Sequence, residues 1–278
     1  MIDLSARISP QQLENSNPPL WGPRGEPKIT LVGAGPGDPE LLTVKGLKAI
    51  QSADVVLYDA LVNPLLLDEA PATALKVYVG KRAANHRYSQ EEINLLLVQY
   101  AYSHGHVVRL KGGDSFVFGR GHEEITYAAN FDIETVVVPG ISSCISLPEL
   151  QRVPVTRRGV NESFWVLTAT TRSGALSKDI ALAAQSSATA VILMGMRKLP
   201  LIADTFARAG KADTPVLVIQ NGSLPNERYV LGTVADIADK VAAAGLGVPG
   251  LIVIGAVVDL HPDRVAEQAL ALIEQRAQ

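Results

Sequence analysis

From Lys28 onward, short apolar runs alternate with amphipathic stretches. KITLVGAG (28–35) is a hydrophobic run that ends in glycines, the pattern of a buried strand entering a tight loop. ADVVLYD (53–59), LKVYVG (75–80), HVVRLKGGD (106–114) and IETVVVPG (133–140) repeat that form. PELLTVKGLKAIQSA (39–53) places Leu42, Leu47 and Ile50 where they share one helical face. QEEINLLLVQYAYSHG predicts a second long helix, closing at Gly105. Strands that alternate with helices predict an α/β fold with a mainly parallel sheet.

A second set of strands begins near residue 160: ESFWVLTAT, TAVILMG, TPVLVIQNG and PGLIVIGAVV. Helical segments such as LPLIADTFARAG and VADIADKVAAAG lie between them. SSCISLPELQRVPVTRRGVN, which contains prolines, reads as the link between the sets. The expected organisation is a flexible lead-in over 1–27, an N-terminal α/β domain over 28–145, a connector over 146–160 and a C-terminal α/β domain over 161–278. The lead-in is polar, with little apolar surface to offset the cost of ordering it.

Composition narrows the function classes. At 278 residues the chain has the length of roughly two domains. A net charge of −3 gives no global basic field for nucleic acid. One cysteine, Cys144, provides neither an internal disulfide nor a cysteine zinc site, and it reads as a small buried residue rather than a nucleophile. The histidines have no metal-ligand spacing, so no metal is expected. No apolar run has the length of a membrane span, and no signal peptide is evident, so the cytoplasm is the expected location.

The chemistry concentrates in three glycine loops at strand ends: GAGPGD (33–38), RLKGGDSFVFGRG (109–121) and VPGISS (138–143). In open α/β sheets, ligands bind at that edge. A nicotinamide-dependent oxidoreductase is one reading, because Asp59 follows the first loop at about the spacing of a ribose-binding acid. The detail of the loop opposes it. The spacing is not G-x-G-x-x-G, Pro36 removes a backbone donor, and Asp38 adds negative charge where a pyrophosphate would sit.

VGAGPGDPELLTVKG, ADVVLYDALV, VGKRAANHRYSQEEIN, VVRLKGGDSFVFGRGHEE and VVPGISS together resemble the S-adenosylmethionine-dependent tetrapyrrole methylases. The resemblance runs over about residues 28–260, and LKGGDSFVFGRG is its most specific segment. It implies two α/β domains, each a parallel or mixed sheet flanked by helices, with the active site in the cleft between them and a homodimeric assembly. It implies a cofactor site of Pro36, Gly112, Gly113, Asp114, Val117, Ser142, Ser143, Met194, Gly222 and Gly250. By itself, a methionine at a strand end reads as core packing.

The activity implied is C-methylation of uroporphyrinogen III at carbons 2 and 7. That gives precorrin-2 through precorrin-1, on the way to siroheme and cobalamin. Methylation of a later corrin precursor, or cofactor binding without turnover, are the alternatives. An octacarboxylate substrate calls for cations, since arginine pairs carboxylates in a bidentate way. Lys81, Arg82, His86, Arg109 and Lys111 are the candidates for substrate binding. Asp59 is the candidate for proton handling or for orienting a pyrrole N–H, and Arg120 for holding a substrate carboxylate beside the cofactor. The sequence departs from the family pattern at Ser115, where proline is usual, and at Gln151-Arg152, Arg157, Ala169 and Ala256.

Overall fold

In a computed structural model describing residues 26–80 and 88–277, the five apolar runs of the first half are strands. They are β1 (Lys28–Gly33), β2 (Val55–Tyr58), β3 (Leu75–Tyr78), β4 (His106–Lys111) and β5 (Glu134–Val138). The order across the sheet is β3-β2-β4-β1-β5, and every ladder is parallel. Helices α1 (Val44–Gln51), α2 (Gln90–His104) and α3 (Gly121–Ala129) lie between the strands.

Alternation along the strands sorts their side chains onto two faces. Ile29, Leu31, Val55, Leu57 and Val107 pack with Ile93, Leu97 and Ala101 of α2 and Ala128 of α3. Val32, Val56, Val108 and Leu110 pack instead with Ile50 of α1 and with Leu66 and Leu67 of a 3-10 turn, Pro64–Glu69. Arg109 and Lys111 stand two and four residues beyond Val107, so the strand period directs both cations under α2 and α3.

The helices begin and end on local signals. Ser89 and Glu92 form a capping box at the start of α2, and Gly105 follows its last turn with φ +104°. Thr43 caps α1 by accepting from Gly46 N–H at 3.0 Å. That cap corrects the face expected of the 39–53 segment. Leu42 precedes the helix, after a separate 3-10 turn over Pro39–Leu41, because Pro39 and the Thr43 cap break the segment in two.

The second unit begins at Ser143. Its strands are β6 (Phe164–Thr168), β7 (Thr189–Leu193), β8 (Pro215–Gln220), β9 (Arg228–Thr233) and β10 (Gly250–Ile254). The order is β6-β7-β10-β8-β9, and only the β6–β7 ladder is parallel. Helices α4 (Ser143–Leu150), α5 (Asp179–Gln185), α6 (Leu199–Arg208), α7 (Ile237–Ala243) and α8 (Pro262–Ala277) complete it. Ile180, Ile202, Phe206, Ile237 and Val241 carry α5, α6 and α7 onto the sheet.

Two five-stranded sheets flanked by helices, one parallel and one mixed, are the fold class that the sequence implied. β9 lies outside the four strands read in this half. The stretch read as a connector opens as helix α4, with Pro148 inside its last turns. The lead-in over 1–27 lies outside the described residues except for its last two.

Candidate active site

The glycine loops of the first unit meet at the C-terminal edge of its sheet. Gly35 and Gly113 exchange backbone hydrogen bonds of 3.2 and 2.7 Å, and Ala34 N–H donates to the Lys111 carbonyl at 2.7 Å. Gly33 lies against Gly140 so closely that a Cβ on Gly33 would stand 2.5 Å from the Gly140 Cα. Only glycine permits that backbone contact. Asp114 ties the second loop to the third: its Oδ1 accepts from Phe116 N–H at 2.8 Å and its Oδ2 from Gly140 N–H at 3.0 Å.

This geometry argues against a phosphate site. Two N–H groups of the first loop are already spent, one on the end of β4 and one on the second loop. The turn that follows is a three-residue 3-10 segment, and Asp38 caps it by accepting from Glu40 N–H at 2.9 Å. Among the described residues the loop leads into this short turn and not directly into a helix N-terminus that would favour an anion.

Beside the loops lies a cavity of about 270 Å³, lined among others by Asp59, Arg109, Lys111, Gly112, Phe118 and Arg120. Arg109 is 1% exposed. Its Nη2 donates to Asp59 Oδ1 at 2.6 Å and its Nε to Glu124 Oε1 at 3.1 Å. Its Nη1 reaches the carbonyls of Leu57 and Leu110 at 3.4 and 3.3 Å. Lys111 Nζ donates to the same Glu124 oxygen at 2.9 Å and stands 3.8 Å from Asp59 Oδ2. Asp59 is the least buried of the four charges, 29% exposed at its side chain, and it opens onto the cavity.

Burial works against both cations, with different outcomes. For Arg109, Glu124 and Asp59 outweigh the cost of burial, and its pKa is raised. For Lys111, burial and the adjacent Arg109 charge outweigh the pull of Glu124 and Asp59, and its pKa is lowered. Both side chains therefore spend donors on the protein's own carboxylates, Arg109 on Asp59 and Glu124 and Lys111 on Glu124.

Arg120 sits at the rim. Glu123 holds its guanidinium in a fork of 2.8 and 2.6 Å. That hydrogen bonding raises the Arg120 pKa against a smaller effect of burial. A substrate carboxylate would have to compete with Glu123. Phe118 and Arg120 flank Gly119 with φ of +53° and +59°. Side chains in that region cost on the order of 1–3 kcal/mol each, so the loop bordering the cavity is strained.

Other expected residues fall at the same edge. Pro36 is half-buried between Gly35 and Gly37, and Val117 N–H closes a turn onto the Asp114 carbonyl at 3.3 Å. Ser142 is half-buried at the end of the unit, and Ser143 opens α4 of the next. Lys81, Arg82 and His86 lie outside the described residues. Among the described residues, no three His, Cys, Asp or Glu side chains are grouped to hold a metal ion.

In the second unit, Met194, Gly222 and Gly250 share one end of the sheet, because β7 and β8 both run antiparallel to β10. Met194 has φ +55° and is 53% exposed, which removes it from the core. Its carbonyl accepts from Thr170 Oγ1 at 3.1 Å. Asn221, before Gly222, has φ +51° and donates its N–H to the Pro249 carbonyl at 3.2 Å.

Sequence reasoning missed Glu124, and with it Gln90, whose Nε2 donates to Glu124 Oε1 at 3.2 Å. A signal was present. Gln90 and Asn94 fall on the same face of α2 as Ile93 and Leu97, and Arg109 and Lys111 follow Val107 at the strand period. Two cations directed into a core require a buried carboxylate.

Residues 28–238 match the family described as Tetrapyrrole (Corrin/Porphyrin) Methylases. The chain is 46% identical over 235 residues to the uroporphyrinogen-III C-methyltransferase of Methanocaldococcus jannaschii, covering 84% of this chain and 97% of that protein. It is 41% identical to the siroheme synthase of Psychrobacter cryohalolentis over 85% of its own length, and spans only 45% of that protein. Its fold is similar to that of uroporphyrin-III C-methyl transferase from Thermus thermophilus, solved with S-adenyl homocysteine, with a TM-score of 0.71 and 38% identity. That likeness covers 84% of this chain and 99% of the other.

Proposed function

The chain belongs to the tetrapyrrole (corrin/porphyrin) methylases, and on that premise we propose that it methylates uroporphyrinogen III at carbons 2 and 7. The product is precorrin-2, formed through precorrin-1 and open to siroheme or cobalamin synthesis. S-adenosylmethionine supplies an activated methyl group on a sulfonium sulfur. The observation that carries the reading is the Asp59 carboxylate, which Arg109 holds at the mouth of a cavity bordered by the glycine loops.

The first-unit loops suit this cofactor. Gly113 has φ +68° and nothing within 4 Å of where a Cβ would stand, so open space borders its backbone. Gly112 is half-buried in the same loop, and Pro36 contributes a carbonyl without an N–H. Such a surface suits a sulfonium and an amino-acid moiety better than a pyrophosphate. Asp114 acts indirectly, keeping the second and third loops in register. Val117 and Ser142 border these loops, and Ser143, Met194, Gly222 and Gly250 are the contacts proposed for the second unit.

The pyrrole carbon is itself the nucleophile, so the protein mainly aligns it and keeps water away. Asp59 accepts the proton released as the ring regains its bonding, or orients a pyrrole N–H. Lys81, Arg82, His86 and Arg120 are assigned to the substrate carboxylates. Arg109 and Lys111 set the field in which Asp59 works.

Calorimetric titration tests the cofactor assignment. The expected result is binding of S-adenosylhomocysteine and none of NADH. Binding of NADH alone would overturn the reading in favour of an oxidoreductase.

A further inference from the structure

We propose that Glu124 is a positioning residue for the reaction: by holding Arg109 and Lys111 from behind, it fixes the Asp59 carboxylate at the cavity. The inference rests on the role given to Asp59 above.

The Glu124 side chain is fully buried, at 0% exposure. Its Oε1 accepts from Arg109 Nε, Lys111 Nζ and Gln90 Nε2 at 3.1, 2.9 and 3.2 Å. Its Oε2 is buried with no hydrogen-bond partner among the described residues. The carboxylate therefore directs its bonding to one point, between the two cations.

Arg109 transmits that constraint. Glu124 fixes Nε, the Leu57 and Leu110 carbonyls fix Nη1, and Nη2 is left to reach Asp59. A planar guanidinium held on two sides presents its third in one direction. The charged groups described around Asp59 are Arg109 and Lys111 from β4, Glu124 from α3, and Arg120, itself paired with Glu123, at the cavity rim.

Buried ion clusters contribute little net stability compared with apolar packing of the same volume. What this cluster supplies is orientation. Without the Glu124 charge, Arg109 and Lys111 would have Asp59 as their one ion-pair partner among the described residues. Both would draw on its lone pairs, leaving it a weaker and displaced proton acceptor.

The test is a double-mutant cycle on the full chain. Methyl transfer to uroporphyrinogen III is measured for Glu124→Gln, Asp59→Asn and the pair, with the S-adenosylhomocysteine Kd and the thermal midpoint alongside. Glu124→Gln is expected to lower kcat by roughly 10- to 100-fold with little change in that Kd. In the Asp59→Asn background the same change is expected to cost less than about twofold. Equal losses in both backgrounds would reduce Glu124 to a packing residue and overturn the inference alone. A wild-type rate in Asp59→Asn would overturn the role of Asp59 and the inference with it. Should Glu124→Gln not fold, Arg109→Lys replaces it in the cycle, because an ammonium cannot span Glu124 and Asp59 together; the same non-additivity is expected and additivity overturns the proposal.

Discussion

Replacing Gly113 by alanine separates backbone strain from occupation of the cofactor space. Gly113 has φ +68° and no atom within 4 Å of the added Cβ. The change therefore carries only the cost of an L-residue in the left-handed region, about 1–2 kcal/mol. Gly210, in the second unit, has φ +80° and equally open surroundings, so Gly210→Ala carries the same cost and serves as its control. The two variants should lose similar stability in urea denaturation. They should differ in binding. If the space beside Gly113 receives the cofactor, its Cβ intrudes on a packed ligand, an overpacking of about 1–3 kcal/mol. That corresponds to roughly 5- to 150-fold weaker S-adenosylhomocysteine binding, at about 1.4 kcal/mol per tenfold. Gly210→Ala should bind as the wild type does. Wild-type affinity in Gly113→Ala would refute the placement of the cofactor at this loop.

Other outcomes follow from single contacts. Asp59→Asn should lower turnover by about 10²- to 10⁴-fold while S-adenosylhomocysteine affinity, read by calorimetry, stays close to wild type. Ser115 is the second residue of a turn closed by Val117 N–H onto the Asp114 carbonyl, and its hydroxyl is buried without a partner among the described residues. Ser115→Pro should therefore stabilise the protein by about 0.4–1 kcal/mol in urea, and a loss would show that the backbone there does not accept proline. Burial lowers the His261 pKa below its ordinary 6.5, against a smaller opposing effect of Asp263. The unfolded chain then takes the proton more readily, so stability is lost as pH falls from about 6.5 toward the lowered value. Its Nδ1 accepts from Asp263 N–H at 3.2 Å and its Nε2 faces Gln151 Oε1 at 3.2 Å, contacts that suit the neutral ring. His261→Gln should flatten the difference in urea midpoint between pH 7.5 and 5.5, and an unchanged difference would assign it to other groups.

The first sheet was legible because its strands are apolar runs bounded by glycine or a polar turn, and the three central ones, β1, β2 and β4, are buried on both faces. β9 was not, because Arg228–Thr233 is a half-exposed edge strand whose apolar run, Tyr229 to Leu231, is only three residues long before Gly232 ends it. α4 was hidden by Pro148, which reads as a breaker although the helix accommodates it near its end. At the site, the glycine loops announced themselves through spacing. What the spacing of the glycines does not show is where a charge ends up. Arg109, Lys111 and Arg120 look alike in sequence. The strand period buries the first two beneath α2 and α3, whereas Arg120 lies beyond β4 and remains at the rim. Glu124 and Glu123 are neighbours in sequence, yet one is fully enclosed and the other holds a surface arginine.

Methyl transfer to a tetrapyrrole carbon is read by mass analysis of uroporphyrinogen III incubated anaerobically with the protein and S-adenosylmethionine. The expected product carries two added methyl groups, with a singly methylated species appearing first. Recovery of unmethylated substrate, under conditions where the protein binds S-adenosylhomocysteine, would rule out uroporphyrinogen III as the methyl acceptor.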